Sequence, residues 1–330
     1  MSGTQFDVVG IGNAIVDVLA RTDDHFLAQN RLSKGAMTII DAQTAEELYG
    51  KMGPGVEVSG GSAANTIASI ATLGGRGAFI GKVMDDQMGQ VFRHDIRAVG
   101  VAFDTLSMVN GAPTARSLIF VSEDAERTMQ TYLGACIELG PDDVDPQIIK
   151  SSHITYLEGY LWDPQQAKEA FIKAAKVAQQ AGRQVSLSLS DPFCVDRHRG
   201  EFIDLVNSHV DILFANEEEI KSLYQVDSFD AALQHVKGHC EIAALTRGSK
   251  GSIIISGDNI HILDAEKVEK VVDTTGAGDA YAAGFLFGYT QGKDLGVCGE
   301  LGGILAAEII SHYGARPESD LKELVKQTLG

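Results

Sequence analysis

The 330-residue chain has only four cysteines, and none of them is paired by spacing. Cys136, Cys194, Cys240 and Cys298 lie far apart, with no C-x-x-C and no nearby histidine at zinc-ligand spacing. A disulfide framework and a structural zinc site are therefore excluded, and the four read as reduced, mostly buried side chains. Positive charge is also scarce: 27 Lys and Arg against 45 Asp and Glu leave a formal net charge of −18. Such a chain repels phosphate backbones and anionic lipid, which argues against nucleic acid and membranes as partners and for small molecules. No apolar run reaches membrane-spanning length. From Met1 the chain passes through polar residues straight into an apolar strand, without the basic and apolar regions of a signal peptide. A cytoplasmic location is expected.

What is present is an ordinary globular composition, 44% hydrophobic and 22% charged, enough for a sizeable core. From residue 144 onward, short β-like runs alternate with helical patterns, the signature of a doubly wound, mostly parallel sheet flanked by helices. Asp163 and Pro164 are expected to cap and open one helix, with Ala167, Phe171 and Ala175 at helical spacing and Gly182 beyond its end. Strands are expected at 185–190, 210–215 (VDILFA), 241–246 (EIAALT), 252–256 (SIIIS) and 268–272, the third and fourth joined by the turn RGSKG. Ligands bind at the carboxyl ends of such strands. The first half differs: β-rich runs at 117–121 and 127–133 flank the polar turn 122–126, and a third covers 34–40. These read as a small β lid, over about 18–41 and 113–134, closing on a site within a single domain of residues 1–330.

Residues 271–280, VVDTTGAGDA, form the strongest motif. Gly276, Ala277 and Gly278 leave backbone N–H groups bare at a helix N-terminus, where unpaired donors and the helix dipole attract phosphate. Asp279 in such an anion hole suits a base taking the proton of a hydroxyl that attacks the phosphate; the bland reading is a helix cap. A Walker A loop is excluded, because Val83 follows Gly81-Lys82 and Arg76 replaces the first glycine. A dinucleotide fingerprint at Gly10-Ile11-Gly12 fails at Ile15, where the third glycine is needed.

Asn13 and Asp17 near the first glycine turn, with Gly60-Gly61-Ser62-Ala63-Ala64-Asn65 at a second, could hold vicinal hydroxyls. Each alone reads equally well as a turn former. Asn216-Glu217-Glu218-Glu219 follows VDILFA. Three acids suit a helix N-terminus, and Glu219 could instead hold magnesium through water. Thr246-Arg247-Gly248 with Gly251 is a β-turn or a nucleotide loop.

With these motifs in this order, the chain resembles the ribokinase-like (PfkB-type) carbohydrate and nucleoside kinases over essentially its whole length, most specifically at 60–89 and 273–285. GIGNAIVD, SDPF (190–193) and VDILFANEEE are similar to its adenosine kinase branch rather than to ribokinases or fructokinases. The resemblance implies ATP-dependent phosphorylation of a nucleoside 5′-hydroxyl, adenosine to AMP in purine salvage. Inosine, ribose or fructose are alternative acceptors, and a non-catalytic purine-binding protein is a further one. It implies that Asp17, Gly61, Ser62 and Asn65 hold the ribose, that Asn13 supports that turn, and that Tyr160 lies against the base. Arg127 would meet the transferred phosphate, and Asn216 and Glu219 would serve magnesium and phosphate. Thr246, Gly248 and Gly251 would hold ATP together with Gly276 and Gly278, and Asp279 would be the base. Met37 and Met129 read as base contacts or as a plain apolar lid face. Some relatives need potassium near the loop of Asp273.

Overall fold

Successive residues of the central strands bury in opposite directions, so each strand must feed two cores. Val8 and Val9 do so on β1 (Phe6–Ile11), as do Leu213 and Phe214 on β10 (Ile212–Asn216). A sheet covered by helices on both faces follows from that pattern. The computed structural model describes residues 4–124 and 126–329, with the backbone alone at 328 and 329. Met1 and Ala125 of the turn 122–126 lie outside the described residues.

The remaining strands in chain order are β2 (Ile15–Arg21), β3 (Met37–Ile39), β4 (Gly55–Gly60), β5 (Gly77–Ile80), β6 (Ala115–Val121), β7 (Arg127–Tyr132), β8 (Ser152–Glu158), β9 (Gln184–Ser188), β11 (Ile242–Thr246), β12 (Ser252–Ser256) and β13 (Asn259–Leu263). The main sheet has the order β13-β12-β11-β10-β9-β8-β1-β5. It is parallel from β5 to β11, and β12 and β13 are antiparallel. A second sheet, β3-β7-β6-β2-β4, holds the lid-like segments. It also includes β4, from outside the stretches expected for the lid. Among the described residues no helix is long and apolar enough to cross a membrane.

Several expectations need correction. Residues 268–272 form no strand: Val271 is exposed, and the Val272 N–H donates to the Ile310 carbonyl at 2.8 Å, so the run is a connection. The sheet edge is taken instead by β13, whose side chains are mostly exposed and therefore carry little apolar signal. The strand expected at 185–190 stops at Ser188, since Ser190 turns the chain with φ of +69°. Asp163 does not cap the helix Gln165–Gln180. Pro164 takes the cap position, and the Asp163 carboxylate pairs with Arg197 and His198.

The helix Ala277–Thr290 is buried almost all round, and Leu295–Ile309 packs against it through glycines. A Cβ on Gly284 would stand 2.4 Å from the Leu301 carbonyl oxygen, whereas one on Gly303 would meet nothing closer than 3.6 Å. Gly284→Ala should therefore cost about 1–3 kcal/mol in urea unfolding through overpacking. Gly303→Ala, in the same helix pair, should be neutral or stabilise by about 0.5–1 kcal/mol. Equal effects of the two substitutions would contradict this packing account.

Candidate active site

The parallel register brings the ends of the strands to one edge. Ile11 pairs with Leu157, Glu158 with Ser188, and Asn216 with Thr246, so the turns after β1, β8, β9, β10 and β11 all open on the same side. The two glycine turns then meet by backbone contact. Gly61 has φ of +99°, and a Cβ there would fall 2.1 Å from the Asn13 carbonyl oxygen. Only glycine allows both at once.

Glu158, fully buried at the end of β8, ties these turns together. Asn13 Nδ2 donates to its Oε1 at 2.6 Å and the Ala63 N–H to its Oε2 at 2.8 Å. Burial pushes its carboxyl up to about 7, against the pull of those two donors. Asn13 Oδ1 and Asn65 Oδ1 are buried without a partner among the described residues. An unpaired buried acceptor is costly, and a ligand hydroxyl would satisfy each.

Asp17 lies on β2 rather than in the turn, so the turn-former reading fails for it. Its carboxylate lies against Gly60, where a Cβ would meet Oδ2 at 2.3 Å. Burial raises Asp17 to about 6; Arg127 and Arg316 oppose the rise and Asp279 adds to it. Asp279 stands in the first turn of Ala277–Thr290 and does not cap it, because the cap position is Gly276 with φ of +79°. Three residues of the helix Ser62–Thr72 hold it. Ser62 Oγ donates to Oδ1 at 2.6 Å, Asn65 Nδ2 to Oδ2 at 3.2 Å, and Thr66 Oγ1 to the Asp279 carbonyl at 3.2 Å. Burial raises its carboxyl to about 6, while Ser62, Asn65 and Arg316 favour the ionised form. Of the expected anion hole, the Ala277 N–H turns back onto the Thr274 carbonyl. The N–H groups of Gly278 and Asp279 are left as the donors of the helix end. A Cβ on Gly278 would meet nothing within 4 Å, so that position is open.

Farther along the edge, Asn216 caps the helix Glu217–Tyr224 in a capping box with Glu219. The Asn216 N–H donates to Glu219 Oε2 at 2.9 Å and Nδ2 to Oε1 at 2.6 Å. Glu219 is buried and raised to about 7 by desolvation, with Asp191 adding to the rise. Thr246 ends β11, and a Cβ on Gly248 would meet nothing within 4 Å. Gly251 instead abuts β13, where a Cβ would lie 1.9 Å from the Leu263 carbonyl oxygen. Tyr160 follows β8 with 42% of its surface exposed. Arg127, on β7, is paired with Asp273; both side chains are nearly buried. The Asp273 carboxylate also accepts from the N–H groups of Thr275 (3.0 Å) and Gly314 (3.1 Å).

The profile of the pfkB family carbohydrate kinases matches residues 10–322. The chain belongs to that family. An uncharacterised sugar kinase of Archaeoglobus fulgidus is 31% identical over 247 residues, covering 75% of this chain and 96% of that protein. The structure of adenosine kinase from Sinorhizobium meliloti is 52% identical with a TM-score of 0.90, covering 98% of this chain and 99% of that one. A probable sugar kinase from Rhizobium etli is equally 52% identical, with a TM-score of 0.91 and the same coverage. The protein is thus a sugar or nucleoside kinase, an ATP-dependent phosphotransferase acting on a hydroxyl.

Sequence reasoning missed two residues that the structure brings to this candidate site. Glu158 had a weak signal, a single acid closing the apolar run of β8, while Arg316 sits in the polar segment HYGARPESD with none. Glu158→Ala should strand two buried donors, Asn13 Nδ2 and the Ala63 N–H. The expected result in calorimetric titration is a loss of acceptor affinity of roughly tenfold or more, with ATP affinity little changed. Equal losses for both ligands would remove Glu158 from the acceptor side.

Proposed function

We propose that the kinase transfers the γ-phosphoryl group of ATP to the 5′-hydroxyl of adenosine, giving AMP. The observation that carries this reading is the face of the second sheet shared by Asp17. Alternation and register set Leu19, Val58, Ile119, Met129 and Met37 on the side of Asp17 and Arg127, an apolar surface beside a hydroxyl-binding carboxylate. A nucleoside has both parts, a polar ribose and a flat base, whereas a free sugar leaves the apolar face wet. Tyr160 would close on the base from the main-sheet side. The 52% identity to the adenosine kinase of Sinorhizobium meliloti supports the same choice.

In this reading Asp17, Asn65 and the Gly61 turn hold the ribose, with Asn13 fixed by Glu158. Asp279 takes the proton of the 5′-hydroxyl as the oxygen attacks. Ser62 and Asn65 keep its carboxylate oriented, and the Gly278 and Asp279 N–H groups face the developing phosphate charge. The second sheet acts as a lid, and Arg127 moves from Asp273 to the phosphate as ATP arrives. Thr246 and Gly248 border the nucleotide phosphates.

Glu219 fits a magnesium ion held through water, because it is a desolvated carboxylate with no cation beside it among the described residues. Bound with ATP, magnesium would offset the charge of the phosphates.

An acceptor panel assayed by ADP release tests the reading. Adenosine should exceed inosine, ribose and fructose in kcat/KM by at least about a hundredfold, and preference for a sugar would overturn it. Asp279→Asn should lower kcat by about 10²- to 10⁴-fold with binding of both substrates retained. Because the base works ionised and its carboxyl is raised to about 6, wild-type kcat/KM should fall as the pH drops through about 6. A profile flat down to pH about 4.5, well below that midpoint, would exclude Asp279 as base.

A further inference from the structure

Arg316 lies in the loop between the helices Leu295–Ile309 and Leu321–Leu329, far in sequence from every motif above. Among the described residues its guanidinium makes hydrogen bonds only to uncharged oxygens. Nε and Nη2 donate to the Ser59 carbonyl at 3.1 and 2.5 Å, Nη2 to Ser59 Oγ at 2.8 Å, and Nη1 to the Ala64 carbonyl at 3.5 Å. Its anchors flank the two site carboxylates. Ser59 precedes Gly60, which lies against Asp17, and Ala64 precedes Asn65, which donates to Asp279. Ser59 is itself fully buried, and its N–H (2.8 Å) and Oγ–H (2.5 Å) both donate to Asp95 Oδ2.

A half-buried cation, hydrogen-bonded but with no carboxylate in direct contact among the described residues, keeps its field available to charges around it. We propose that Arg316 is a positioning residue of the acceptor site: it staples the Ser59–Ala64 stretch and, by its charge, keeps Asp17 and Asp279 ionised side by side. This rests on the reading of Asp279 as base.

The groups facing that pair are few. Tyr156 and Glu158 come from β8, Tyr160 from the turn after it, Arg127 from β7 and Arg316 from the C-terminal loop. Arg127 is already paired with Asp273, and among the side chains acting on Asp279 the one cation is Arg316. The effect is mutual, for Arg316 itself is pulled down to about 10 by burial despite Asp95, Asp17 and Asp279. A positive neighbour lowers a carboxyl pKa, so removing it raises the pKa and moves the acid limb of activity upward.

The test compares wild type, Arg316→Met and Arg316→Lys by the pH dependence of kcat/KM and by ¹³C titration of the aspartate carboxyls. In Arg316→Met both midpoints should rise by roughly one unit, which is about a tenfold loss of rate below the limb. Arg316→Lys keeps the charge and loses the planar fork, so it should lower the plateau and leave both midpoints in place. Midpoints unmoved in Arg316→Met, with rates lowered equally at every pH, would reduce Arg316 to a staple and overturn the proposal. If Arg316→Met does not fold, the lysine variant decides, since a risen midpoint with the charge retained also overturns it. Carboxyl midpoints that rise while the activity limb stays fixed would uphold Arg316 and remove Asp279 as base.

Discussion

Ser62 and Asn65 donate to Asp279 across 217 and 214 residues of chain, and most of the site is arranged around that meeting. The two helix N-termini that converge there begin at Ser62 and Ala277, each behind a glycine with positive φ. Without those glycines neither backbone could turn sharply enough to bring its first helical turn to the other. The carboxylate therefore needs no cap of its own to be held. It is oriented by side chains of one helix while belonging to another, and the N–H groups of Gly278 and Asp279 beside it lie in the helix's first turn, where donors lack an intrahelical partner.

Gathering acids at one edge has an electrostatic cost, and the structure shows how it is distributed. Asp17, Glu158, Asp279 and Glu219 are all raised by desolvation, to between about 6 and about 7. Each has a different compensation: two arginine charges for Asp17, hydrogen bonds for Glu158, hydrogen bonds and Arg316 for Asp279, and an asparagine alone for Glu219. Asp273 differs, because the Thr275 N–H and the Arg127 charge outweigh burial and hold it below the usual carboxylate range. That pair joins the second sheet to the loop leading into Ala277–Thr290, so in the proposed reading a movement of this sheet would also release Arg127.

Much of the main sheet was legible because its strands are buried on both faces and read as continuous apolar runs, as at 252–256 and 210–215. Strands at the margins were less so. β13 has mostly exposed side chains and carries little apolar signal, while the segment VEKVV at 268–272 has β-like valines but forms no strand. β4 carries no apolar run, since Gly55 and Val56 are exposed and Glu57 separates its two valines, and it acquires its role only by pairing with β2. Asp163 looked like a helix cap by position, but a competing arginine and histidine were invisible until the helix Pro192–His209 packed beside it.

By itself the sequence determined the local chemistry: which turns are rich in glycine, where apolar periodicity changes from strand to helix, and that one acid follows a glycine-rich loop at a helix N-terminus. These depend on residues within a few positions of one another. Only the tertiary structure decided that Asp17 meets Gly60 from β2, that Glu158 joins Asn13 to Ala63, and that Arg316 bonds to Ser59 and Ala64. Each of those contacts joins segments far apart in the chain. Their energies depend on burial and mutual distance, and no local pattern encodes either until the sheets have formed.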